Sequence, residues 1–188
     1  MAWLKYSELV DAYEKIEATT KRLEMTDHLV KLFLRTPPKL IGKVVYLTQG
    51  KLHPDYAGVE TGLAEKLTVK ALADATSVPI PELEREVHRT GDLGLTAENV
   101  LAKRRQATLL DFSPSAKLGE LTVEFVYETL DRIARASGAG SQEMKLSLLV
   151  NILKDATPKE ARYVARTVTG NLRLGIADMT IVDAIAVA

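Results

Sequence analysis

The segment Thr157 to Gly175 constrains this chain most tightly, because both ends of one helix and the turn after it are written in its residues. Thr157, Pro158 and Glu160 form a capping box with proline at the first helical position, and Gly170 stops the helix at its far end. Between them Ala161, Val164, Ala165 and Val168 fall at i, i+3, i+4 and i+7, an apolar face, while Lys159, Arg162 and Arg166 line another. The spacing predicts a helix with one packed side and one charged side. Beyond it, Gly170-Asn-Leu-Arg173-Leu-Gly175 predicts a tight connection, with Asp178 or Thr180 capping a last helix.

Helical periodicity recurs along the rest of the chain, and no segment reads firmly as a strand. Leu9, Tyr13 and Ile16 repeat after a Ser7 cap, and Thr26 caps a helix carrying Leu29, Val30 and Phe33 that ends at Pro37 and Pro38. Residues 39–47 are apolar enough for helix or buried strand, and the flanking Pro38 and Gly50 favour helix. A helix is expected over Thr61 to Thr76, a short one from Pro79 and Pro81 to Arg89, and one capped by Thr96 that ends in Lys103, Arg104 and Arg105. Thr122 opens a helix closed by Gly138, and Ser141 opens the next. The expectation is an all-α fold: a compact bundle of roughly ten to twelve short helices. It is one domain over residues 1–188, with residues 109–121 as the candidate joint between two helical halves.

Composition narrows the function. With 188 residues, 46% of them hydrophobic, the chain can bury a core, and no apolar run nears the roughly 20 residues that span a bilayer. Met1 to Tyr6 lacks a secretory pattern, so no membrane partner and a cytoplasmic location are expected. The absence of cysteine excludes disulfides and thiolate chemistry. His28, His53 and His88 are too scattered to share a metal, and there is no P-loop, Gly-x-Ser-x-Gly or dinucleotide fingerprint. Formal charge is zero, yet residues 1–98 carry 13 Lys/Arg against 15 Asp/Glu while residues 131–175 carry 8 against 4. Any polyanion surface must therefore come from local segregation towards the C-terminal third.

Three places could present it. Gly170 and Gly175 let main-chain N–H groups approach a phosphate, and Arg173 adds a forked cation suited to phosphate oxygens or a minor-groove edge. The same residues serve equally well as a helix stop and a turn with Arg173 in solvent, and spacing alone does not separate the two. Ser141 and Lys145 open a helix after a glycine-rich approach, where free N–H groups attract an anion, although Glu143 already complements that dipole. Gly91 and Gly94 flank a turn ahead of the Lys103 to Arg105 run, which would also serve as a helix C-terminal charge. Arg132 and Arg135 follow Glu128 and Asp131 by four residues and can pair along their helix.

Three longer stretches carry a resemblance: GDLGLTAEN from Gly91 to Asn99, LTVEFVYETLDRIARASGAGSQ from Leu121 to Gln142, and EARYVARTVTGNLRLGIAD from Glu160 to Asp178. In this order they are similar to the N-terminal DNA-binding domain of ATP-dependent DNA ligases, the archaeal enzymes most of all, and also to that domain of the eukaryotic replicative ligase. The resemblance implies an all-helical domain that grips nicked duplex DNA by its minor groove and backbone, in DNA replication, repair and recombination. It places that contact on Gly170, Arg173, Gly175 and Ala177, on Ser141 and Lys145, and on the Gly91 to Gly94 loop, and Arg166 is counted with them as a DNA-binding candidate. Where family members often pair two lysines, this chain has Met144 and Lys145. The nucleophilic Lys-x-Asp-Gly of such ligases is absent, so the chain is expected to lack the adenylation and oligonucleotide-binding-fold domains and to be inactive alone. The resemblance implies no cofactor for this chain, ATP and Mg2+ for the parent enzyme, and as partners nicked double-stranded DNA, the adenylation domain and, as a further candidate, a sliding clamp. The other class to weigh is a helical protein–protein interaction module, which would expose an apolar patch.

Overall fold

The computed structural model describes residues 3–59, 63–110 and 120–188, with only the backbone for 105–110. Among them are ten α-helices: α1 (Tyr6–Glu17), α2 (Arg22–Arg35), α3 (Ile41–Thr48), α4 (Glu65–Thr76), α5 (Ile80–Thr90), α6 (Leu93–Leu110), α7 (Val123–Arg135), α8 (Ser141–Asp155), α9 (Pro158–Val168) and α10 (Asp178–Val187). Short 3-10 turns occupy Pro38–Leu40 and Asp55–Ala57. The protein is all-α, as its periodicity predicts. Most of the expected joint at 109–121 lies outside the described residues, and so do Asp111 and Lys117.

α9 is the centre of the packing. Tyr163, Val164 and Ala165 are wholly buried, and the helix lies against α6, α1 and α8. Its start is the predicted capping box: Glu160 N donates to Thr157 Oγ1 at 3.2 Å and Thr157 N to Glu160 Oε2 at 2.7 Å. Its end is a Schellman turn, with Asn171 N donating to Arg166 O at 2.8 Å and Gly170 N to Thr167 O at 3.1 Å, Gly170 being left-handed at φ 71°. Around this axis one hydrophobic cluster runs from Leu4 on the N-terminal side to Ala184 in α10. The start of α1 is tied to the start of α7 by Tyr6 N to Leu121 O at 2.8 Å and Val123 N to Leu4 O at 2.9 Å.

Several helix starts differ from the sequence expectation, for one recurring reason. A threonine hydroxyl can cap a helix or bond the carbonyl four residues back inside one, and sequence does not say which. Thr122 caps α7, accepting from Phe125 N at 3.2 Å. Thr26 and Thr96 instead lie inside α2 and α6 and donate to Arg22 O at 3.0 Å and Asp92 O at 3.1 Å. Asp92 takes the capping role on α6, accepting from Gly94 N at 2.7 Å and Leu95 N at 3.3 Å. Ser7 and Ser141 likewise fall inside the first turns of α1 and α8, after Lys5 and a left-handed Gly140. α4 begins at Glu65, with Leu63 N drawn off to Val168 O at 2.7 Å, and the expected start at Thr61 lies outside the described residues. α7 stops at Arg135, ahead of Gly138, and α10 begins at Asp178 with no side-chain cap.

α6 approaches α9 closely at Gly94. A Cβ built on Gly94 would stand 2.6 Å from Arg166 Cγ and 2.7 Å from the Arg162 carbonyl oxygen. Backbone cannot yield as a flexible side chain can, so only glycine fits this crossing. Gly94→Ala is expected to lower stability by about 2 kcal/mol despite the better helix propensity of alanine. Thermal melting reads this as a fall of roughly 4–8 °C, and an unchanged midpoint would show that the helices part without cost.

Candidate functional site

The connection from Gly170 to Ala177 alternates. Leu172 and Leu174 are buried, while Asn171, Arg173 and Gly175 face outward. Leu172 packs beside Gly50, and Gln49 Nε2 donates to Asp178 Oδ1 at 3.1 Å, so both ends of the segment are pinned to the end of α3. Three residues in it are left-handed: Gly170 at φ 71°, Arg173 at φ 55° and Gly175 at φ 68°. That conformation is ordinary for glycine but unusual for arginine. Among the described residues no hydrogen bond or ion pair engages the Arg173 side chain, which lies in solvent. Ala177 is also exposed, in extended backbone at the start of α10.

Directly beneath lies a buried charge cluster. Arg166, 7% exposed in its side chain, donates from Nε and Nη2 to Asp92 Oδ2 at 3.0 and 2.6 Å and from Nη1 to Glu17. Arg162 joins Glu17 Oε2 at 2.5 Å and Glu98 Oε2 at 3.4 Å. Both guanidinium groups stand against the ring of Tyr163, at 5.3 Å for Arg162 and 5.7 Å for Arg166, and the edge of Tyr13 completes the aromatic contact. The face of α9 expected to be charged and open is therefore packed, its cations neutralised by carboxylates from α1 and α6. Lys159 is taken up too, by Glu14 at 2.8 Å.

This alters where two expected contact residues stand. Arg166 is closed between Asp92 and Glu17, and Gly94 is buried under Arg166 with its N–H given to Asp92. Both are buried, and of the two only Arg166 borders the depressions beside Arg173. Gly91, in contrast, is exposed and left-handed at φ 64° at the end of α5. The fold brings it to the predicted turn: Gly91, Asp92, Arg166, Thr169, Asn171 and Arg173 share the lining of a depression of about 260 Å³. A broader depression on the other side of Arg173 is lined by Glu17, Thr20, Leu174 and Gly175. Ser141 and Lys145, half-exposed at the start of α8, line neither. Arg135 pairs with Asp131 at 2.9 Å as its spacing predicts, whereas Glu128 turns to Lys43 at 2.9 Å. Among the described residues no three His, Asp or Glu side chains gather as a metal site, and no helix is long and apolar enough to cross a membrane.

Sequence reasoning missed the carboxylates. Asp92 stands in the quoted GDLG stretch, and its place two residues before Gly94 at a helix start was a usable capping signal. Glu17, at the far end of α1, carried none.

The comparisons with known proteins agree with this architecture. A family model described as DNA ligase N terminus matches residues 5–186. The chain belongs to that family. It is 55% identical over 185 residues to DNA ligase 2 of Thermofilum pendens, a match covering 98% of this chain and 31% of the relative. It is 45% identical to a DNA ligase of Nitrosopumilus maritimus and 46% identical to a probable DNA ligase of Aquifex aeolicus, each match covering 98% of this chain and 30% of the relative. The chain thus spans less than a third of the length of these relatives.

The Asp92 carboxyl is governed by opposed effects. Burial pushes its pKa up, but the Arg166 guanidinium and the amides of Leu95 and Gly94 outweigh that and leave it below the ordinary value. A depressed pKa means that the unfolded chain binds the proton more tightly. The stabilisation is complete above about pH 4 and is lost as pH falls through the lower folded value. Urea unfolding at about pH 5 and about pH 3 should show a shallower acid loss for Asp92→Asn than for the parent protein. Equal losses would remove Asp92 from the acid response.

Proposed function

We propose that this chain binds duplex DNA by its backbone and minor groove without sequence preference, and positions a nick for ligation by the longer polypeptide to which it belongs. The observation that carries the reading is the exposed, unpaired Arg173 in a turn of left-handed residues, set beside the left-handed Gly91. Among the described residues no hydrogen bond engages the main-chain N–H groups of Arg173 and Gly175, whereas those of Gly91 and Gly170 are given to Val87 O and Thr167 O, and the guanidinium fork matches two phosphate oxygens. The alternating buried leucines hold the turn in place, so little ordering is left to occur on binding. Gly170, Gly175, Ala177 and Gly91 surround the arginine in this reading, while Arg166 and Gly94 support it from below. Ser141 and Lys145 are assigned a separate phosphate along the duplex.

Ligation itself lies elsewhere on this reading. The chain has no Lys-x-Asp-Gly for a nucleotidyl intermediate, so ATP and Mg2+ belong to the remainder of the enzyme, with the adenylation domain as an intramolecular partner. A protein-contact role has one observation in its favour: Met179, Val182 and Val187 on α10 are more than half exposed. Amide shifts on adding duplex separate the two, because a pure protein-interaction module leaves Gly170 to Ala177 unmoved.

Phosphate neutralisation makes affinity fall steeply with salt. In titrations of nicked duplexes of unrelated sequence, Arg173→Ala should weaken binding about equally for all and lower the salt slope by about 1. A flat salt response of the parent protein, or a loss confined to one sequence, would overturn the assignment.

A further inference from the structure

We infer that Asp92 and Arg166 are positioning residues that hold the Arg173 turn in the orientation in which it meets the duplex backbone. The inference rests on the DNA-binding reading above.

The two turns come from distant parts of the chain and share no backbone hydrogen bond that would align them. What joins them, beside the packing of α6 on α9 at Gly94, is one buried ion pair. On one side the Arg166 carbonyl accepts from Asn171 N at 2.8 Å and from Thr169 Oγ1 at 3.3 Å, so the residue that carries the guanidinium also anchors the turn leading to Arg173. On the other side the Asp92 carboxylate receives Gly94 N and Leu95 N, and its carbonyl receives Thr96 N at 3.0 Å and Thr90 Oγ1 at 3.0 Å. The residue next to Gly91 is therefore held from both of its polar groups. The guanidinium then meets both carboxylate oxygens, Nη2 donating to Oδ2 at 2.6 Å and Nε to Oδ2 at 3.0 Å and Oδ1 at 3.3 Å, with both side chains more than nine-tenths buried. A bidentate pair fixes direction as well as distance, which a single contact does not. Both residues also line the depression shared by Gly91 and Arg173.

A buried ion pair is poor evidence for stability, since desolvation consumes much of its attraction. Its geometry, by contrast, holds Arg166 in place, and the Arg166 carbonyl anchors the turn that leads to Arg173. A loosened pair leaves that turn free and Arg173 acting as an unplaced cation.

A double-mutant cycle on nicked-duplex affinity tests this. Asp92→Asn keeps an oxygen for the amides of α6 but removes the charge facing Arg166. Asp92→Asn and Arg173→Ala are each expected to weaken binding about tenfold, and the double variant to lose clearly less than the product of the two. A core variant such as Val126→Ala, chosen for an equal fall in melting temperature, should leave affinity within about twofold. Arg166→Lys, which keeps the charge but loses the fork, should reproduce Asp92→Asn and serves in its place if that variant fails to fold. Multiplicative losses, or a core variant that weakens binding as much as Asp92→Asn, would overturn the inference while leaving the Arg173 assignment standing. An Arg173→Ala variant that binds like the parent protein would overturn the DNA-binding reading and this inference with it.

Discussion

One guanidinium closed between two carboxylates holds the centre of this protein. Arg166 reaches Glu17 from α1 and Asp92 from the start of α6, so three helices distant in sequence meet at one side chain. The absence of a Cβ on Gly94 makes the meeting possible, because only then does α6 come close enough for Asp92 to receive both the Arg166 fork and its own helix amides. Close packing and charge pairing are one constraint here. Neither the crossing nor the ion pair is available without the other.

The same interaction accounts for the electrostatics of the surface above it. A chain of zero formal charge that gathers basic residues in its last third would be expected to display them. Instead Arg162 and Arg166 are paired inside the fold with acids of α1 and the start of α6, and Lys159 is paired with Glu14 of α1 at the surface. Glu14 and Glu17 come from the acidic half of the sequence, and Glu98 and Asp92 from the start of α6. The charge asymmetry along the chain therefore works largely as helix-to-helix complementarity, while among the described residues no ion pair takes up Arg173, although Glu65 lines the same depression.

How legible this was depended on the range of the interaction concerned. The α9 helix could be read at both ends, since a capping box and a Schellman turn are local patterns whose partners lie within six residues. The α7 cap at Thr122 and the ion pair of Asp131 with Arg135 are local in the same way, and both were readable. Thr26, Thr96 and Ser141 were not, because each hydroxyl has two nearby backbone groups to choose from, and packing of the whole helix decides. The charged face of α9 was visible as a pattern but not as a buried one. Helical spacing shows which side chains share a face, while the carboxylates that cover this one come from 64 to 149 residues away. The Gly91 and Gly170 to Gly175 turns were each recognisable by their glycines, and their neighbourhood was not.

That difference bears on how such a surface works. An exposed loop carrying an arginine ordinarily gives up conformational freedom when it meets a ligand, and that loss offsets much of the charge attraction. Here the loop is already fixed by residues that face away from the ligand: Leu172 and Leu174 inward, Gln49 on Asp178, and the Arg166 carbonyl on Asn171. Even the left-handed conformation of Arg173 is held by its buried neighbours rather than by its own side chain. The cost of ordering the turn is met during folding, so on the proposed DNA-binding reading the guanidinium and the adjacent amides would meet a polyanion with most of their electrostatic gain intact.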